Sequence, residues 1–126
     1  MTRKMMPALV TAAVLALTLA AGALAVTRIG GSTTARLHAT DAPSTYDAVY
    51  GRISSPKPFC EAGRTVRIMG SSVTPVPGVR SGGTGRWRIE TLITRGRVHI
   101  SIPEKEVTRH GKHYVCKSMS KAINAY

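Results

Sequence analysis

His110, His113 and Cys116 recur at intervals of three residues, and imidazole and thiolate are both good ligands for zinc or copper. That spacing offers a metal site only if the thiolate is free to ligate. Cys116 has a competing use, because Cys60 is the only other cysteine and an even count in a small exported domain favours a disulfide. A bridged Cys116 cannot hold a metal, so the two readings exclude each other. The disulfide is the expectation, with no cofactor and no metal; two reduced, buried thiols remain open beside it.

Other catalytic groups lack the company they need. No Gly-x-Ser-x-Gly turn occurs, and Ser71 and Ser72 sit in a loop without a neighbouring base. Glu104 and Glu106 are two apart but flank Lys105 in a charged segment, which favours solvation over the split pKa values of an acid–base pair. The glycines of SGGTGR, residues 81–86, are not followed by Lys-Ser or Lys-Thr and form no phosphate loop. The chain is therefore expected not to be an enzyme.

Arginine is the more informative residue type. The chain holds 18 Lys and Arg against 6 Asp and Glu, a net charge of +12, and arginine suits bidentate contact with phosphate and carboxylate. Strand parity sets Arg67, Arg86, Arg88 and Arg97 opposite Val66, Ile68, Trp87, Ile89 and Val98. A sheet pairing those strands would gather the four guanidinium groups on one surface and raise the local concentration of anions. The competing reading is that Glu90 pairs with some of them and the charge serves only solubility. Trp87 is expected in the core.

The elements that must carry these residues begin after a leader. Arg3 and Lys4 precede an uncharged run from Met5 to Thr27 that contains Ala23-Leu24-Ala25, the pattern of a signal peptide cleaved after Ala25. An uncleaved single-pass anchor is the alternative, since about 20 apolar residues span a bilayer. Cleavage leaves a net charge of about +10. Domain organisation then reads as signal peptide 1–25, disordered linker 26–45 rich in Gly, Ser, Thr and Ala, and a folded domain 46–126.

In that domain YDAVYGRIS carries aromatic and β-branched residues, and RTVRIM, RWRIETLIT and RVHISI alternate with period two. Arg95-Gly96 fits a hairpin turn between the third and fourth of these. SSVTPVPGVRSGGTG, with its Pro and Gly, breaks regular structure. EKEVTRHGKH reads as a loop or bent edge strand, and YVCKSMS and KAINAY supply the last two strands. About seven short strands with little helical pattern predict an all-β fold, a single antiparallel β-sandwich. Cys60 and Cys116 would tether an early part of it to a late one, worth about 4 kcal/mol by loop entropy.

GRISS, Cys60 followed by GRTV, the glycine-rich turn into GRW, RGRVHISI, and GKHYVCKSMSKAI together resemble the small exported bacterial domains with an Ig-like or carboxypeptidase-regulatory-like (transthyretin-type) sandwich. The resemblance covers Val49 to Ile123. It implies a prealbumin-like Greek-key sandwich and a Cys60–Cys116 disulfide, and brings no catalytic residues. SGGTGRW departs from the Asp-containing turn of the related regulatory domains.

Two function classes follow. The first is a non-enzymatic secreted or cell-envelope module with a basic surface, binding an anionic envelope polymer, a lipid headgroup or another protein. Nucleic acid is not expected there, and a membrane enters only through an uncleaved leader. The alternative is a small metal-binding or hydrolytic extracellular protein using His110, His113 and Cys116.

Overall fold

A computed structural model describes residues 25–126. Of the expected leader, 1–25, residues 1–24 lie outside the described residues. From Thr27 onward the chain is all-β, with eleven strands: β1 (Thr27–Ile29), β2 (Ser32–Thr33), β3 (Arg36–Ala39), β4 (Tyr46–Ser54), β5 (Thr65–Met69), β6 (Val79–Arg80), β7 (Arg86–Ile93), β8 (Gly96–Ile102), β9 (Lys105–Arg109), β10 (Lys112–Cys116) and β11 (Met119–Ala125).

Three sheets form among the described residues. In the first, β2 and then β3 line one edge of β4, and β7 pairs with its other edge. The second has the order β11-β8-β5-β6, and the third β1-β10-β9. Alternation makes the first two sheets two-sided: β7 reads exposed, buried, exposed throughout, and β8 buries Val98, Ile100 and Ile102. Those residues meet Val49 and Ile53 of β4, Val66 and Ile68 of β5, and Trp87, Ile89 and Ile93 of β7 in one core. Two sheets burying their apolar faces against each other is sandwich-like packing. At 4% exposure Trp87 belongs to that core, and its indole N–H donates to the Thr33 hydroxyl at 2.9 Å.

A second, smaller core lies under the third sheet, where Ile29 packs with Cys60 and Cys116, and Phe59, Val107 and Tyr114 close around them. The two cysteines are bonded, with their Cα atoms 5.4 Å apart. Cys60 ends a 3-10 turn, Pro58–Cys60, and Cys116 ends β10.

Two expectations are corrected. Residues 27–39, read as part of a disordered linker, carry three strands: β1 runs parallel to β10, with Thr27 opposite Tyr114 and Ile29 opposite Cys116, while β2 and β3 pair with β4. Their partners, not their own short and polar sequence, hold them. The expected β7–β8 hairpin is absent: β7 pairs with β4 and β8 with β11 and β5, so Thr94-Arg95 crosses from one sheet to the other. Both strands bury one apolar face, and facing each other across the core satisfies both. EKEVTRHGKH, read as a loop or bent edge strand, carries β9 and the first residues of β10, joined by the two-residue His110-Gly111 hairpin with φ of 52° and 74°, the positive values such a tight turn requires.

Candidate anion-binding site

The register of the first sheet builds a basic surface on its outer side. Leu37, Val49, Ile53, Trp87 and Ile89 pack on or within the core, so Arg36, Tyr50, Arg52, Arg86 and Arg88 point outward. Arg36 lies opposite Tyr50, which lies opposite Arg88, forming one row across three strands. In the next row Arg52 stands directly opposite Arg86. Like charges placed so across a sheet repel and destabilise it.

Arg80 joins them from β6, the edge of the second sheet. The turn after it is tied back by Ser81 N–H to the Arg64 carbonyl at 2.9 Å and by Gly82 N–H to the Arg86 carbonyl at 2.8 Å. Together these residues line an open groove of about 660 Å³ that no carboxylate lines. Gly51, between Tyr50 and Arg52 in β4, makes the geometry possible: a β-carbon there would meet the Thr34 carbonyl and come within 2.7 Å of the Trp87 ring.

Partners inside the groove are few. Arg52 Nε donates to the Thr84 carbonyl at 3.1 Å, and the Arg88 guanidinium lies 6.0 Å from the centre of the Tyr50 ring. The ion pairs among the described residues are His38–Asp47 and an exposed Arg88–Glu90 contact at 3.5 Å, so Arg36, Arg52, Arg80 and Arg86 face no carboxylate. Charge-assisted hydrogen bonding to an anion is the chemistry this arrangement offers.

Of the four arginines singled out in the sequence, Arg86 and Arg88 are in this groove. Arg67 on β5 and Arg97 on β8 are exposed on the second sheet, opposite Ser101 and Asn124. The four are divided because β7 and β8 do not pair. Tyr50 and Arg52 were missed although they stand two apart in a strand-like segment, a spacing that puts them on one face; Arg36 and Arg80 carried no such signal, lying in the supposed linker and in the Pro/Gly loop.

The histidine–cysteine motif assembles differently. Cys116 Sγ is bonded to Cys60, which removes it as a ligand, and His113 Nδ1 shares a hydrogen bond with the Thr108 hydroxyl at 3.2 Å. No group of three His, Cys, Asp or Glu side chains suited to a metal ion occurs among the described residues. Glu104 and Glu106 are exposed.

One arginine gave no sign in the sequence at all. Arg64 is 1% exposed, and its Nη atoms donate to the carbonyls of Cys60 at 2.8 Å, Pro103 at 2.9 Å and Lys117 at 3.0 Å, while its Nε has no partner. Burial pushes this guanidinium's pKa down. Lys105, whose Nζ donates to the Ala62 carbonyl at 3.1 Å, is also lowered, by burial first and then by the charges of Arg64, Arg109 and Arg80. Comparison with protein-family models, with curated proteins and with solved structures finds no match to this chain.

Proposed function

We propose that this protein is a non-enzymatic, exported binding module that holds an anionic polymer of the cell envelope in the arginine groove of its first sheet. One observation carries the reading: Arg52 and Arg86 stand directly opposite each other in an open groove that no carboxylate lines. A sheet that keeps such a pair gives up stability that an anion between the two side chains would restore. The Cys60–Cys116 bond supports an oxidising compartment, and export through a cleaved leader is part of the proposal. So is membership of the Ig-like or transthyretin-type Greek-key sandwiches, which rests on the strand motifs alone.

The test compares two charge reversals of equal size. Arg52→Glu with Arg86→Glu alters the groove, and Arg67→Glu with Arg97→Glu alters the other sheet. Binding of poly(glycerol phosphate) at near-physiological salt should fall by about tenfold or more for the groove variant, since two charge-assisted contacts are lost. The other variant should lose only the weaker contribution of the general field. Equal losses in both would reduce the interaction to bulk charge and end the groove assignment.

A further inference from the structure

Beyond the groove lies a second cavity, of about 560 Å³, where Lys57, Arg109 and His110 surround the Phe59 and Tyr114 rings, and no carboxylate lines it either. Its wall includes Gly83, and the next residue, Thr84, gives its carbonyl to Arg52 in the first groove. The two cavities are therefore the two sides of a single turn, Ser81 to Gly85. That turn is exposed and bare at two positions: a β-carbon at Gly83 would meet nothing within 4 Å, and one at Gly82 only the Arg86 carbonyl oxygen at 3.8 Å. Gly82-Gly83, followed by the exposed Thr84, forms the saddle between the cavities.

Cations stand on both sides of it: Arg80 and Arg86 flank the turn in the first groove, and Lys57 and Arg109 line the second cavity. Glu61, whose Oε2 accepts the Ser55 N–H at 3.1 Å, stands beside the turn at Gly85 and lines neither cavity. On the basis of the groove reading above, we infer that the two cavities are the ends of one track that binds a linear phosphodiester polymer, a chain of polyol phosphates laid across the Gly82-Gly83 saddle.

Three features favour that ligand class. A track with cations at both ends and glycines in the middle suits an extended, thin chain, whereas a lone anion would use only one end. Arginine forks match phosphate oxygens bidentately. Nucleobases, in contrast, need open aromatic faces for stacking, and the rings here already carry partners: Arg88 over Tyr50, and Arg109 at 5.6 Å with Tyr114 at 5.1 Å on Phe59. Each polyol phosphate unit would bind weakly, and linkage of the two ends would supply the affinity.

The experiment titrates the disulfide-bonded protein with glycerol phosphate and with poly(glycerol phosphate) of graded length. Affinity should climb by about a hundredfold or more once the chain spans both cavities. Gly83→Glu sets a carboxylate on the saddle at a position with room for a side chain, so its melting temperature should match the parent's. It should leave the single unit's binding in the arginine groove unchanged and cut long-chain affinity by about tenfold. Lys57→Glu with Arg109→Glu should abolish the single unit's binding at the far end, leave that in the arginine groove, and remove the roughly hundredfold gain of the long chain. If these variants bind long chains as the parent does while Arg52→Glu with Arg86→Glu does not, the track is refuted and the groove stands. If the last variant binds normally too, both readings fall. An oligothymidylate with the same number of phosphates that bound more tightly than the polyol chain would overturn the ligand class.

Discussion

Arg64 places a full positive charge where water does not reach, and three carbonyls from distant parts of the chain replace its hydration. Taking a guanidinium out of water is costly, but removing it afterwards strands the carbonyls it served. Arg64→Leu should therefore lower stability by about 3 kcal/mol, seen as a fall in the urea midpoint with the slope unchanged. A loss below about 1 kcal/mol would mean that water takes over the three carbonyls. In the sequence this residue is only the first letter of RTVRIM, and nothing near it announces that the carbonyls of Cys60, Pro103 and Lys117 converge there. Arg86 and Arg88 were legible for the opposite reason: parity alone decides that they face away from Trp87 and Ile89.

At the scale of elements, long alternating segments were readable and short ones were not. YDAVYGRIS became β4 residue for residue, and RTVRIM, RWRIETLIT and RVHISI became β5, β7 and β8 with the expected faces. β5, β7 and β8 declare themselves because each buries one face, and β4 through its aromatic and β-branched residues. By contrast β1, β2, β3 and β6 have two to four residues each and depend on the strand beside them. Pairing was also beyond reach, since alternation orients a strand without naming its neighbour, and the division of Arg67 and Arg97 from Arg86 and Arg88 follows from that. Gly51 shows how tightly one pairing is specified. Gly51→Ala would press a methyl group into the Thr34 carbonyl and the Trp87 ring, at a cost of about 2 kcal/mol. A drop in thermal midpoint, with a shift in Trp87 fluorescence as its ring is displaced, would report it; an unchanged midpoint would mean that β2 and β3 yield without penalty.

For the molecule as a whole, two cores share the load unequally. The larger is a two-sheet interior with residues from five strands, whereas the smaller is buried Ile29 packed on a buried disulfide whose cysteines are 56 positions apart. Replacing both cysteines by alanine should cost about 3 to 4 kcal/mol, measured by denaturant unfolding of the variant against the oxidised parent. If the stabilities matched, the β1-β10-β9 sheet would have to be held by its hydrogen bonds alone. The cysteine pair itself was legible from the even cysteine count in a small domain, but the strand laid over it was not.

That strand, β1, joins the fold beside β10, with Lys117 N–H donating to the Ile29 carbonyl at 2.8 Å. The first strand thus has no partner until almost the last has been delivered. A chain that emerges from its N-terminus must hold Thr27 to Ile29 open while some eighty residues follow, and contacts so distant in sequence form slowly. Such an order of assembly makes the small core under β1 one of the last parts of the fold to close, apart from a two-sheet interior that needs none of its residues.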